Sequence, residues 1–439
     1  MKLKKNFFWS FFNSGFIALS GLLSYSLLAN NLSVSDFGKY GLIISILSFF
    51  IALGTFGMHL ISSKIIHLSN TTINHKNRLI KTAIITIFFS SFLFFLIANY
   101  IDIFYSNNSR FTFVILFVLV FSIIQRIASD YFRSIGELNN FFLMNSIGSS
   151  AGLIVWSLYL FSILFLIFFE KLSIENIFIS LLFSSLSTIT LFIVFYFNHF
   201  IQLIYNFFKY LRYNDKKYNF FLNTSFGLLL IVLLKNFKEN FSFWILGYFS
   251  SQQDVAIFFA VFKTLFFIYI PLVIIDIIFP QVIARINIEK NNYENIIRKI
   301  SSYRALVSFF SIILIFFFSK EILYIIFGNE YTIGSQALKI LIISLIPIAF
   351  LGPCHSIMIL TKYEKESIII DLVLLVPTII FGIFLSKEFG FIGMILAYSF
   401  YIFFSNILYF IFVKYKMKIN TLPFLGIKKN IDIIRNDFL

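Results

Sequence analysis

Charge is scarce in this chain. Only 13% of its 439 residues are Asp, Glu, Lys or Arg, about half the share of an ordinary soluble domain, which excludes a water-soluble globular protein. Cysteine is limited to Cys354, so no intramolecular disulfide can form, and the thiol is read as structural. Long polar segments are missing too: the inner loops run to about twenty residues at most and the outer ones are shorter. That leaves no room for a soluble catalytic domain. Neither G-x-x-x-x-G-K-[ST] nor H-E-x-x-H occurs, which excludes a P-loop and a zincin-type zinc site. The five histidines, His59, His67, His75, His199 and His355, are scattered; His59 and His355 stand isolated and are read as structural. No metal or cofactor is expected, and the chain is not expected to be an enzyme.

What the chain does have is apolar length. Hydrophobic residues make up 59% of it, including 65 Phe, and they fall in runs long enough for a helix to cross ~30 Å of hydrocarbon. Phe is so abundant that single Phe residues read as lipid-facing filler. Lipid offers the backbone no hydrogen bonds, so spanning segments are helices. The fold class expected is an all-α integral membrane protein of about twelve transmembrane helices. The spans are roughly 6–30, 38–61, 80–101, 110–132, 141–168, 173–204, 219–248, 254–283, 303–327, 336–360, 367–386 and 389–413. Met1-Lys2-Leu3-Lys4-Lys5 and the apolar run to Ala29 are too long for a signal h-region, so they read as a retained first helix.

Basic residues test the count. With the N-terminus inside, 26 of the 35 Lys and Arg fall in cytoplasmic segments. Six fall outside, Lys39, Arg110, Lys171, Lys320, Lys339 and Lys387, and Lys235, Lys238 and Lys263 fall within spans. This is the positive-inside asymmetry, and removing or adding one helix would destroy it. Both termini are therefore expected in the cytoplasm of a bacterial inner membrane. The net charge of +15 sits mainly on that face, where anionic phospholipids rather than nucleic acid are the expected partner.

A weak half-chain repeat accompanies this. Asn6-Phe7-Phe8 corresponds to Asn219-Phe220-Phe221, and Asp36-Phe37-Gly38-Lys39-Tyr40 to Asp254-Val255-Ala256-Ile257-Phe258. Six helices per half make the repeat parallel, with a pseudo-two-fold along the membrane normal. The organisation expected is an N-terminal lobe 1–208, a basic cytoplasmic linker 209–218, a C-terminal lobe 219–413 and a basic cytoplasmic tail 414–439.

The informative charges are those inside the membrane, where each costs roughly 2.5–3.5 kcal/mol on the insertion scale. The seventh span carries Lys235-Asn236-Phe237-Lys238-Glu239-Asn240 at its centre. The flanking apolar stretches are each too short to span, so this is one helix with a polar middle. Lys235 lies three residues from Lys238 and four from Glu239, on one face. Such a face points to protein or to a water-filled cavity, and its net charge is positive. A purely structural salt bridge between helices is the alternative. The eighth span adds Lys263 and Asp276, with Pro271 and Pro280 as kink points. Lys263 and Asp276 fall on nearly opposite faces and are not expected to pair. Arg126, Asp130 and Arg133 form a self-paired ladder at the end of the fourth span. Asp371, four residues into its span, reads as interfacial.

The whole chain resembles the O-antigen type polysaccharide repeat-unit flippases of the multidrug/oligosaccharidyl-lipid/polysaccharide (MOP) exporter superfamily. The residues that carry the likeness are Leu32-Ser33-Val34-Ser35-Asp36-Phe37-Gly38-Lys39-Tyr40-Gly41, Phe56-Gly57 through Lys64, Ile245-Leu246-Gly247 through Phe258, and Ile278-Phe279-Pro280. The clearest is Ile326-Phe327-Gly328-Asn329-Glu330-Tyr331 followed by Ala337-Leu338-Lys339-Ile340-Leu341. Lys64 stands where the family usually has arginine. Ser242 stands where many members carry an acid, with Glu239 a turn earlier.

The resemblance implies two six-helix lobes around a central cavity lined by the first, second, seventh and eighth helices. Its substrate class is an undecaprenyl-pyrophosphate-linked oligosaccharide, moved from the inner to the outer leaflet by alternating access. On that basis Lys64, Lys235, Lys238 and Lys263 are the candidate substrate-binding cations. Glu239, Asp276 and Asp36 are candidates for ion coupling or charge balance, with proton or sodium as the coupling ion. Other polysaccharide-assembly membrane proteins are candidate partners. An ion-coupled multidrug exporter of the same superfamily would show an acidic cavity. A membrane-embedded polymerase or acyltransferase would want a large outer loop with clustered charges. A relative that flips a peptidoglycan or teichoic-type lipid precursor is a further alternative, but relatives that flip the peptidoglycan precursor tend to carry extra helices, for which this chain has no room.

Overall fold

The computed structural model describes residues 2–58, 72–98, 109–134, 138–146, 152–196, 218–269, 272, 293–361 and 363–424. Among the described residues all regular structure is helical. The helices are α1 (Lys2–Asn31), α2 (Val34–Thr55), α3 (Thr72–Ala98), α4 (Ser109–Ser134), α5 (Leu138–Met144), α6 (Leu153–Phe168), α7 (Ile174–Phe195), α8 (Tyr218–Phe249), α9 (Gln252–Thr264), α10 (Tyr293–Phe317), α11 (Ser319–Phe327), α12 (Ser335–Ser344), α13 (Ile346–Phe350), α14 (Cys354–Leu360) and α15 (Glu364–Tyr415). Nine helices among the described residues are long and apolar enough to cross a membrane. The 52-residue α15 is two spans joined at a corner, Gly390, whose φ is 54° and ψ −133°. Together with α1 and the shorter apolar α6, a helix stands in every one of the twelve expected spans.

The spans expected as single rods at 141–168, 303–327 and 336–360 are broken. Gly152 precedes α6 at φ 113°, where an added Cβ would lie 2.4 Å from the Asn145 carbonyl oxygen. Phe318 separates α10 from α11. Pro347 lies in the first turn of α13, and the Gly352-Pro353 turn, with Gly352 at φ 86°, precedes α14. Proline and left-handed glycine interrupt the helical hydrogen-bond ladder whatever the hydropathy of the run. Pro271, Pro280 and the linker residues 209–217 lie outside the described residues.

The chain forms two compact units, Met1–Asn240 and Phe241–Leu439. In the first, α1 packs on α6, α4 on α7, α6 on α7, and α2 on α3. Its core is aromatic: Tyr25, Tyr40, Tyr159 and Trp156 are buried, and the Tyr159 hydroxyl donates to Tyr40 at 3.1 Å. Short polar side chains stitch helices across the core, as expected where hydrophobic burial alone does not bring helices together. The Thr86 hydroxyl donates to the Gly54 carbonyl (2.8 Å), Ser90 to Phe50 (2.8 Å), and the Gln125 amide to Ser185 (2.9 Å).

In the second unit, α12 and α14 pack on α15, and α9 packs on the 3-10 turn Asn329–Gly334. That turn holds the clearest family motif. Gly328 takes φ 101°, and Phe327 and Tyr331 are both buried with ring centroids 6.0 Å apart. Ala337, Leu338 and Leu341 are buried behind it. The segment after α15 crosses α10: Arg298 Nε donates to the Leu422 carbonyl (3.2 Å), and the Phe424 amide donates to Ser302 (2.9 Å).

The half-chain repeat reappears as matching helix caps. Ser33 Oγ accepts the Asp36 amide at 3.1 Å, and Ser251 Oγ accepts the Asp254 amide at 3.1 Å, the same N-cap in each half. Tyr40 and Phe258, at the same offset, are both fully buried.

Candidate functional site

Helix α8 is continuous through its polar centre, as expected for one span rather than two. Lys235 lies fourteen residues from its C-terminal end, about 21 Å at 1.5 Å per residue. Its ammonium is 4.0 Å from Glu239 Oε1, and the two side chains are 70% and 51% exposed. Lys238 is half-buried. Asn236 faces α2, where its Oδ1 accepts the Ser48 hydroxyl at 3.3 Å, and its own amide donates to the Val232 carbonyl at 3.1 Å. The Asn240 amide donates to the Asn236 carbonyl at 2.8 Å. The polar stretch thus satisfies part of its own hydrogen-bonding need along the helix.

The direction in which this face points follows from helical periodicity. Phe221, Leu228 and Lys235 are seven residues apart, so each step turns only about 20°, and Glu239 lies within about 20° of Leu228. Phe221 and Leu228 are buried against Met58 and Ala83. The exposed large apolar residues of the same helix, Phe226, Leu230 and Tyr248, lie roughly 140–180° from Lys235 and Glu239. The charged pair therefore projects from the stripe that, two turns lower, is packed against the protein, and not from the stripe that carries the exposed apolar residues. At Phe221 the stripe is sealed; at Lys235 it is open. Beneath it the backbones approach closely. Gly57, at φ 68°, has no room for a Cβ, which would lie 2.9 Å from both the Leu229 nitrogen and the Ser225 oxygen.

The other candidates are distributed differently. Lys263, in the second unit, is half-buried with its ammonium 4.8 Å from the centre of the Phe259 ring, a cation–π contact. Asp36 sits in the first turn of α2, half-exposed, paired with Lys39 at 3.2 Å. Lys64 and Asp276 lie outside the described residues. Ser242 is buried, and its Oγ has no hydrogen-bond partner among the described residues. Of the α4 ladder, Arg126 and Asp130 are 3.7 Å apart with Asp130 buried. The structure thus joins Lys235 to Glu239 on one open face.

Sequence reasoning missed one group. Asp371, read from its place in the span alone, is buried within the protein. Its carboxylate accepts hydroxyls from Tyr401 (2.6 Å) and Tyr409, and it faces His355 at 3.9 Å. The hydroxyl donors arrive from 30 and 38 residues downstream, a separation no local pattern reveals.

No family model and no curated protein sequence matches the chain. Solved structures do. The lipid II flippase MurJ in an inward closed conformation aligns with 97% of this chain and 89% of its own, at a TM-score of 0.68 and 16% identity. A MATE family multidrug resistance transporter of the MOP superfamily, outward-facing, aligns over 93% and 96%, at 0.61 and 13% identity. The chain has the two-lobe fold of the MOP-superfamily transporters. A third MOP-fold neighbour, from Pyrococcus furiosus, is described as having a binding pocket of reverse polarity suggesting a different function; it aligns over 94% and 96%, at 0.65 and 13% identity.

Proposed function

We propose that the chain is a secondary transporter that flips an undecaprenyl-pyrophosphate-linked oligosaccharide from the inner to the outer leaflet of a bacterial cytoplasmic membrane. The observation that carries this reading is the open, lysine-bearing stripe at the middle of α8. A diphosphate is anionic and cannot cross ~30 Å of hydrocarbon unaided. Lys235 and Lys238 offer flexible point charges to it, and an ammonium contacts phosphate without a rigid geometry. Glu239 offsets part of that charge, which keeps the site from holding the anion too tightly to release it. The polyprenyl tail stays in lipid, and the sugars need space and water more than specific contacts. Lys64 and Lys263 are the further candidate cations that the family resemblance implies, and a proton or sodium gradient would supply the energy.

The test is flipping by the purified full-length protein in proteoliposomes. A fluorescent lipid-linked oligosaccharide diphosphate is placed in one leaflet, and a membrane-impermeant quencher reads its arrival in the other. Flipping is expected under an imposed ion gradient without ATP, and a diphosphate-free analogue is expected to be left behind. Persistence without any gradient would indicate downhill scrambling. Transport of cationic dyes in place of the diphosphate lipid would overturn the proposal in favour of a multidrug exporter.

A further inference from the structure

The second unit contains a buried acid that the lysine stripe of α8 does not use. Asp371 lies on the first limb of α15, seven residues past its start, and is 3% exposed. Tyr401 and Tyr409, both buried, reach it from the second limb. Their hydroxyls donate to the same oxygen, Oδ1. The other oxygen, Oδ2, faces His355 Nε2 from α14 at 3.9 Å. The His355 ring lies on Tyr409, with centroids 4.7 Å apart. One side of the cluster is closed by Ile297, Ile357, Met358 and Val413. The His355 side chain is 36% exposed.

Physical chemistry restricts what such a cluster can be. A carboxylate removed from water needs a proton, hydrogen-bond donors or a counter-charge. Two phenol hydroxyls on one oxygen supply the donors. The imidazole supplies a counter-charge only when it is protonated, and histidine is the side chain that changes charge near neutral pH.

The groups on every element packed against α15 can be named. Cys354 and His355 come from α14, and the Arg304 charge of α10 acts on Cys354. From α15 itself come Tyr398, Tyr401 and Tyr409, with the Ser367 hydroxyl hydrogen-bonded to Tyr409, and further along it Glu364, Lys365 and Glu366 in the first turn, Lys387 and Glu388 before the corner and Lys414 at the end. α12 brings Lys339, engaged 5.6 Å from the Phe316 ring. α9 brings Asp254, bonded to the Phe391 amide, and Lys263, over Phe259. α13 brings no titratable side chain. Of these, His355 is the histidine, the side-chain type whose unperturbed charge changes near neutral pH.

We propose that His355 and Asp371 form a proton-loading site. The imidazole takes one proton at its exposed edge and holds it as counter-ion to the buried carboxylate, whose other oxygen accepts the Tyr401 and Tyr409 hydroxyls. Only one N–H bond forms on loading and only that bond breaks on release, so the pair cycles between net charge zero and minus one. If the chain is the ion-driven transporter proposed above, this is the place where a proton gradient acts on the second unit; that link rests on the transport reading, whereas the site itself does not.

The experiment is magic-angle-spinning NMR of the full-length protein in lipid nanodiscs with 15N-labelled histidine rings. His355→Gln assigns the His355 signal among the five histidines. Over a pH titration, the charged-to-neutral ratio of His355 near pH 7.5 is expected to fall at least tenfold in Asp371→Asn. Tyr401→Phe, which keeps the ring and removes one donor from Oδ1, is expected to move the ratio the same way, and serves if Asp371→Asn does not fold. An unchanged His355 titration in a folded Asp371→Asn or Tyr401→Phe variant overturns the proposal. A parallel flipping assay on His355→Gln separates the two ideas. Where the NMR effect holds and His355→Gln makes flipping insensitive to pH, site and coupling both stand. Where the NMR effect holds but the unmodified protein does not flip the lipid, the transport reading fails and the site stands.

Discussion

Neutralising Lys235 separates two roles for its charge, because their magnitudes differ. As a partner for Glu239, Lys235 forms an i,i+4 ion pair at 4.0 Å with both side chains more than half exposed. Pairs of that kind contribute about 0.3–0.5 kcal/mol, so losing this one alters the folded-to-unfolded ratio about twofold. As a ligand for a diphosphate, Lys235 makes a charge-assisted contact worth roughly 1.5–3 kcal/mol, and at about 1.4 kcal/mol per tenfold its loss reduces flipping roughly 10- to 150-fold. Lys235→Gln and Lys238→Gln should therefore lower activity far more than abundance. Lys→Arg should keep much of the activity, and Lys→Glu should lose more than Lys→Gln. Glu239→Gln should not mimic the lysine losses, since it leaves the stripe more positive; slower release is its expected effect. The double variant Lys235→Gln, Glu239→Gln should restore function if the pair is only structural and should stay inactive if the lysine binds substrate. The assay is surface polysaccharide, or proteoliposome flipping rate, normalised to membrane protein. Full function of Lys235→Glu, Lys238→Glu at normal abundance would refute the cationic site.

Gly57→Ala should destabilise the first unit by at least about 1–2 kcal/mol, the cost of a left-handed residue with a Cβ, because its neighbours are the Leu229 and Ser225 backbone and cannot swing away; a thermal melt in detergent measures this, and an unshifted melt would show that the turn relaxes. Asp254→Ala should cost about 1–2 kcal/mol, since Asp254 closes a capping box with Ser251 and also accepts the Phe391 amide. Asp36→Ala should cost less, because its carboxylate meets Lys39 near the surface; equal melting shifts would contradict the ranking. Reporter fusions after Lys76, Lys216 and Lys365 should read as cytoplasmic, and those after Ser106, Ser251 and Lys387 as external. An internal signal after Ser251 would place the end of α8 on the wrong side.

Hydropathy made the fold readable because lipid imposes one rule on every span, and α8 shows it: its polar centre looks like a loop, yet the flanks are too short to cross alone. What hydropathy does not encode is backbone continuity. The breaks at Gly152, Phe318 and Gly352-Pro353 leave the apolar runs unaltered, so long runs stood for single rods. The same blindness applies to partners. Phe residues that read as filler divide into exposed ones, such as Phe88, Phe117 and Phe165, and fully buried ones, such as Phe37, Phe178 and Phe258; only the packing tells them apart. On α8 the spacing placed Lys235 and Glu239 on one face, while the environment of that face depends on Phe221 and Leu228 being covered by Met58 and Ala83. Asp371 and His355 were read separately for a related reason. Depth within a span was the available clue to their setting, and two tyrosines from the far limb decide it.

The corner at Gly390 gives the last two spans a shared geometry. With no loop between them, the limbs of α15 behave as the arms of a pair of tweezers. The joint leaves little slack, since a Cβ on Gly390 would lie 2.6 Å from Asp254 Oδ1 and one on Gly393 would collide with the Leu385 carbonyl. Asp371 and Tyr409 stand nineteen residues to either side of the corner, about 28 Å out along each arm. An opening of about 5° at the joint would part them by roughly 2.5 Å over that lever, enough to break the hydroxyl–carboxylate contact. The hydrogen bond at the tips is thus a gauge of the angle at the corner, and what loosens one end is felt at the other.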